Sequence, residues 1–233
     1  MTRWLLLAAL AALAASGCSG NRSEAAPSHH APSIDVAPVA PTALCMTRGA
    51  LDKSGAITEP TVRGYAPAAG GDAAQLTFTY RGESEATREL ASGEARRQIG
   101  LKLRAQDGCN VVYVMWRLDP RPKLDVSIKF NPGKRSHAEC GADGYTKIRP
   151  REKRFIPAFE YGKTHALRAE IIGNDLFAWV DGQLLFQGRL PDAARAISGP
   201  AGLRSDNVKF DLVELAAPHR EGPPPACKRE AGD

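Results

Sequence analysis

Four cysteines outside the N-terminal leader, Cys45, Cys109, Cys140 and Cys227, form an even set, which an oxidising compartment would close into two disulfides. Three pairings are open from number alone. His137-Ala138-Glu139-Cys140 contains a His-x-Glu pair of the kind that activates water on zinc. That chemistry also needs Pro-Cys-x-x-Cys, and Pro225-Ala226-Cys227-Lys228 lacks the second cysteine. The cysteines therefore read as structural, with no metal site and no cofactor. Carboxylates working as an acid and nucleophile pair must point into one cleft, as alternate positions on a strand do. Glu83-Ser84-Glu85 falls in a charged stretch before Gly93, and Asp211-Leu212-Val213-Glu214 would send its two acids to opposite faces. There is no Gly-x-Ser-x-Gly elbow and no phosphate loop. Catalysis would need a cleft assembled from separate strands.

What remains is binding chemistry, and it depends on strand register. Gln75 to Tyr80 alternates, with Leu76, Phe78 and Tyr80 on one side. Gln98 to Arg104 and Asn110 to Leu118 flank Asp107-Gly108, a two-residue hairpin signal. In that register Leu103 meets Val112, Leu101 meets Val114 and Ile99 meets Trp116, all apolar. The other face sets Lys102 by Tyr113, Gly100 by Met115 and Gln98 by Arg117. Leu124, Val126, Ile128 and Phe130 extend the apolar face, while Asp125, Ser127 and Lys129 extend the polar one. The open face thus carries Lys102, Arg104, Tyr113, Arg117, Ser127 and Lys129, an aromatic ring among cations that would suit a sugar bearing acidic groups. An antiparallel sheet with one wet, basic side has the same pattern without any ligand.

A second candidate lies further on. Pairing through Gly173-Asn174 sets Ile171, Ala169 and Leu167 against Leu176, Ala178 and Val180 as core. Arg168, Glu170, Phe177 and Trp179 then share the opposite face, and pairing through Asp181-Gly182 brings Leu184 beside Trp179 and Phe186 beside Phe177. Either the 149–161 segment covers Phe177 and Trp179, or the two rings form an exposed platform with Arg168. Asn174-Asp175 and Asp206-Asn207 are ordinary turn pairs, and no Asp-rich loop of calcium spacing is present. The 83–97 stretch, interrupted by Gly93, reads as a short helix or an ordered loop.

The N-terminus supplies the compartment. Arg3, an apolar run from Trp4 to Ala15 and the small residues before Cys18 make a secretory signal too short to span a bilayer. Ala15-Ser16-Gly17-Cys18 resembles the bacterial lipobox, with alanine where leucine is more usual. The resemblance implies acylation of Cys18, with Ser19 after it fitting outer-membrane sorting. Residues 18–41, rich in Ala, Pro and Ser, read as a disordered tether, and 217–233 as a loose Pro-rich tail. His29-His30 within the tether reads as solvated. The net charge of +5 comes without a Lys/Arg run interleaved with aromatics, so nucleic acid is not an expected partner.

The run Leu167 to Phe186, with its Gly-Asn turn and a strand ending Val180-Asp181-Gly182, followed by Gly202-Leu203-Arg204-Ser205, resembles the concanavalin A-like and laminin G-like jelly rolls. The resemblance implies an all-β fold, an antiparallel jelly-roll β-sandwich over residues 42–216, behind a 1–17 lipoprotein signal. Since first and last strands of such a roll tend to be neighbours, it favours the pairs Cys45–Cys227 and Cys109–Cys140. The function it implies is a membrane-anchored, non-catalytic module binding a glycan or envelope polymer. A polysaccharide hydrolase or lyase, and a structural envelope protein with a protein partner, are the alternatives.

Overall fold

A computed structural model describes residues 30–227; the signal segment and Cys18 lie outside them. Fourteen strands follow in chain order: β1 (Ala37–Val39), β2 (Cys45–Arg48), β3 (Ala56–Ile57), β4 (Thr61–Tyr65), β5 (Ala73–Glu83), β6 (Gln98–Leu103), β7 (Val111–Arg117) and β8 (Lys123–Lys129). After a single helical turn, His137–Cys140, come β9 (Tyr145–Lys147), β10 (Thr164–Ile172), β11 (Asp175–Val180), β12 (Gln183–Arg189), β13 (Gly202–Asp206) and β14 (Val208–Ala217). They make an antiparallel β-sandwich. One sheet runs β1-β14-β5-β10-β11-β12, with β3 also on β14, and the other runs β2-β4-β13-β6-β7-β8-β9.

The layers exist because each strand has one apolar side to bury. Ile99, Leu101 and Leu103 of β6, Val112, Val114 and Trp116 of β7, and Val126 and Ile128 of β8 face Leu76 and Phe78 of β5, Leu167 and Ala169 of β10, and Leu176 and Ala178 of β11. The expected β6–β7 register is the observed one, from Leu103 opposite Val112 to Gln98 opposite Arg117. The connection is longer than two residues, because Asp107 Oδ1 accepts from the N–H groups of Cys109 and Asn110 at 2.8 Å each. That side-chain turn ends the ladder and shifts the last backbone bonds, which run from Gln106 and Asp107 to the Asn110 carbonyl.

Register in the other sheet is as expected for β10–β11, with Ile171 opposite Leu176 and Leu167 opposite Val180. Asp181 and Gly182 take positive φ values of 48° and 80° and close the next hairpin. Beyond Trp179 opposite Leu184 the β11–β12 pairing slips by one at a bulge, so Phe186 lies opposite Ala178 rather than Phe177. This slip turns Phe186 into the core, where it is 3% exposed.

Phe177 and Trp179 are buried, under a different cover from the one expected. The 149–161 segment closes the end of the sandwich instead: Phe159 enters edge-on between Tyr80, Phe78 and Trp116, at ring distances of 4.8, 5.6 and 5.3 Å. The cover over Phe177 is the chain just before β1. His30 stacks on Phe177 at 4.1 Å, and Trp179 Nε1 donates to the His30 carbonyl at 3.2 Å. Ser33 N–H and Ile34 N–H donate to the fully buried Glu170 carboxylate at 2.9 and 3.3 Å, and Arg168 donates to both Glu170 and the Ile34 carbonyl. The stretch read as tether up to Pro41 is therefore packed on the sheet from His30 onward, because it supplies backbone donors to a carboxylate that would otherwise be buried without them. At the other end His219 bridges to Ala69 and the Cys45–Cys227 disulfide fixes the tail to β2.

Candidate functional site

The outward face of the second sheet is concave and holds a cavity of about 560 Å³. Strand pairing sets its floor in rows. One row reads Thr61, Asp206, Gln98, Arg117 and Lys123 across β4, β13, β6, β7 and β8. The next reads Arg48, Arg63, Arg204, Gly100, Met115 and Asp125. The third reads Tyr65, Gly202, Lys102, Tyr113, Ser127 and Lys147, and Lys129 beside Tyr145 ends the surface. Gly100 is required at the centre, since a Cβ there would stand 2.1 Å from the Val114 carbonyl oxygen.

Charged and aromatic groups on this floor are locked together. Arg204, on the polar side of β13 opposite Leu203, donates to Asp206 through Nε at 2.9 Å and through a second guanidinium nitrogen at 3.2 Å. Its guanidinium also lies 5.1 Å from the centre of the Tyr113 ring. Burial works against the Arg204 charge, but Asp206 and the surrounding groups outweigh it and keep the guanidinium firmly protonated. Gln98 Nε2 donates to the same Asp206 at 2.7 Å, which fixes the amide orientation and leaves Gln98 Oε1 buried without a hydrogen-bond donor among the described residues. Asp125 accepts from Arg117 at 3.2 Å and from Lys147. Burial pushes the Asp125 carboxyl up, yet Lys147 and Arg117 prevail and hold it below the usual range.

Two loops form the walls. Residues 84–97 are ordered as a loop, pinned by Asn207, whose side chain accepts from Arg88 N–H at 2.7 Å and donates to the Arg88 and Arg96 carbonyls at 2.9 and 3.1 Å. Asn207 reaches them from a positive φ of 55°, a conformation asparagine tolerates. On the opposite side the Cys109–Cys140 bridge ties the His137–Cys140 turn to the start of β7. Glu139 caps that turn through Ser136, and the backbone and hydroxyl donors it receives, with Arg135, lower its pKa to about 2. Lys129 Nζ donates to the Gly108 and Gly141 carbonyls at 3.2 and 2.7 Å, stands 3.4 Å from His137 Nδ1 and lies 5.2 Å from the Tyr145 ring centre. Tyr145 itself is 42% exposed, offering a ring beside the cavity, and stacks near Tyr113 at 6.3 Å.

Of the residues expected on the open face, Tyr113, Ser127 and Lys129 line the cavity. Arg117 and Lys102 share that face but are buried, Arg117 against Asp125. Arg104 is not there. It lies past the end of β6 at a φ of 47°, which turns its side chain to Asp72 and the Ala194 carbonyl. Arg168, Phe177 and Trp179 belong to the other sheet, beneath the 30–35 strap. The reading from sequence missed Arg48, Arg63, Arg204, Tyr145 and the Arg88 to Arg96 wall. Alternation in Gly202–Asp206 was a usable signal for Arg204, since it sets Arg204 and Asp206 opposite Leu203.

Among solved structures, the chain is similar to a carbohydrate-binding module from Bacillus subtilis. The identity is 12%, the TM-score 0.49, and the match covers 76% of this chain and 93% of that one. It is also similar to a tetrameric galectin from the sponge Cinachyrella, at 17% identity and a TM-score of 0.39 over 64% and 92% of the two chains. A third similarity is to domain 4 of an extracellular arabinanase from Geobacillus stearothermophilus in complex with arabinotriose, at 12% identity and a TM-score of 0.39 over 72% of each chain. No family model matches the chain, and no curated protein matches it.

Proposed function

We propose that this chain is an exported lipoprotein, acylated at Cys18 and held at the outer membrane, whose concanavalin A-like sandwich binds a glycan or envelope polymer on the concave face of the second sheet. The observation that carries this reading is the preorganised polar floor. Arg204, Asp206, Gln98 and Ser127 are buried side chains that line one open cavity, beside an aromatic ring left partly exposed at Tyr145. Sugar hydroxyls need donors and acceptors fixed in advance, and a sugar ring face needs an apolar partner. The reading is of binding without cleavage: Asp125 is held ionised by Lys147 and Arg117, which unfits it for donating a proton, and Asp206 is engaged by hydrogen bonds from Arg204 and Gln98.

The test is a glycan array probed with the full oxidised chain and with Tyr145→Ala. Binding by the parent chain, weakened about tenfold or more in the variant, is the expected result. Absence of binding to every glycan, from a chain of native melting behaviour, contradicts it. The anchor is tested separately, since Cys18→Ala should move the protein from the membrane to the soluble fraction.

A further inference from the structure

We infer that the protein touches the bilayer directly, through a surface along β12 where an exposed phenylalanine stands among unpaired cations, and that the partner of this surface is an anionic lipid headgroup layer. The surface lies outside the cavity and is independent of the glycan reading. It rests on the acylation of Cys18 only for how it is brought to the membrane.

The 149–163 segment builds it. The segment is fastened to the open edge of β12, where Pro150 bridges to Gly188, Arg151 N–H donates to the Gln187 carbonyl at 2.8 Å, and Arg154 donates to the Leu184 carbonyl at 2.9 Å. It then closes the end of the sandwich, with Ile156 and Phe159 buried. Held at both places, it leaves the Phe155 ring 85% exposed, and Tyr161, at the same end, 73% exposed. Moving such a ring out of water is favourable, and no part of the described chain covers Phe155.

The charge around it is counted after pairing. Arg151 is neutralised by Asp175 at 2.7 Å, Arg154 by Glu152 at 3.1 Å and Lys163 by Glu160 at 2.8 Å. Asp181, on the neighbouring turn, is engaged by His165 and the Ala166 N–H. Arg149, Lys153 and Arg189 remain, all exposed and without an ion pair among the described residues; Lys153 is two residues from Phe155, and Arg149 and Arg189 flank the Pro150–Gly188 bridge. Unpaired cations beside an exposed aromatic ring are what a headgroup layer rewards, since the ring enters the interface while the charges meet lipid phosphates.

The chain arrives at the same edge. His30 packs on Phe177 and Trp179 of β11, and Trp179 lies opposite Leu184, whose carbonyl holds Arg154. Cys18 precedes His30 by twelve residues. An acyl group there keeps β12 within about 40 Å of the bilayer even at full stretch, and tethering of that kind turns a weak second contact into an occupied one.

The experiment sediments the processed, oxidised chain from residue 18 onward, carrying Cys18→Ser so that no acyl group contributes, with two kinds of vesicle: phosphatidylcholine alone, and phosphatidylcholine with about a third phosphatidylglycerol. Binding to the anionic vesicles should be about tenfold or more stronger than to the neutral ones, and should fall as salt rises from about 0.05 to about 0.5 M. Phe155→Ala should weaken it about tenfold, and Arg149→Gln combined with Lys153→Gln by a similar factor. All three side chains are exposed, so these variants keep the fold. Lys53→Gln, an exposed lysine beside β3 on the far side of the same sheet, should change nothing. Equal binding to both vesicles, or none by folded protein, overturns the inference. Dextran sulfate bound as tightly as the anionic vesicles, with no loss in Phe155→Ala, assigns the surface to a soluble polyanion and overturns it too. The anchor fails separately: exported parent protein without an acyl group on Cys18 removes that reading, while the vesicle result still decides the surface.

Discussion

Arg204 is set between the Tyr113 ring, 5.1 Å from its guanidinium, and Asp206, which it meets through two hydrogen bonds at 2.9 and 3.2 Å. The guanidinium and the carboxylate are almost wholly buried, at 8% and 1% side-chain exposure, so the pair behaves as one unit in the cavity floor.

Truncating Arg204 to Met leaves Asp206 buried without its cation, and about 3 kcal/mol or more of stability should be lost. Adding Asp206→Asn should recover part of that loss. Urea unfolding of the single and double variants measures the coupling, and additive losses would contradict a pairwise bond.

Glu170→Gln should release the strap. The fully buried carboxylate accepts from Ser33, Ile34 and Arg168, and a neutral amide cannot accept from all of them. The expected cost is about 2 kcal/mol. Tryptophan emission should shift to the red as Trp179 meets water, and proteolysis before β1 should speed up. Unchanged protection of the 30–36 segment would show that other contacts hold it.

Cys109→Ser with Cys140→Ser should cost about 3 to 4 kcal/mol in the chain-entropy model, since the bridge closes a separation of 31 residues. The His137–Cys140 turn also forms a wall of the cavity, so ligand affinity should fall even at temperatures where the variant remains folded. Full affinity in the folded variant would separate the wall from the site.

Acid should loosen the β8–β9 edge. The Asp125 pKa is depressed in the fold, so its contribution to stability is fully present above its unfolded value, about 4, and is lost as pH falls through the lower folded value. A melting series from pH 7 to about pH 2 should decline less steeply for Asp125→Asn than for the parent chain. Parallel curves would mean the carboxylate is not linked to folding.

Much of the fold was legible because period-two patterns are local. The pairing of the two disulfides came from the resemblance to jelly rolls, whereas the pairs Ile99 with Trp116 and Leu167 with Val180 follow from strands that read clearly on their own. The slip at β12 did not, since a bulge adds one residue without a marked change in composition, and it alone moved Phe186 into the core. Nor could the cover over Phe177 and Trp179 be read, because His30 meets them across most of the chain length. The site was half legible for the same reason. Tyr113, Ser127 and Lys129 lie on one hairpin and its neighbour, whereas Arg63, Arg204 and the 88–96 wall reach the cavity only because β13 inserts between β4 and β6.

Amide hydrogen exchange of the full oxidised chain, with and without an oligosaccharide that the glycan array shows to bind, tests most directly that the concave face is the binding site. Slowed exchange in Gln98–Leu103, Val111–Arg117, Lys123–Lys129 and the 84–97 loop, with Thr164–Ile172 and Asp175–Val180 unchanged, is the predicted result. Protection confined to Asp175–Val180 and Gln183–Arg189, on the opposite sheet, would contradict it.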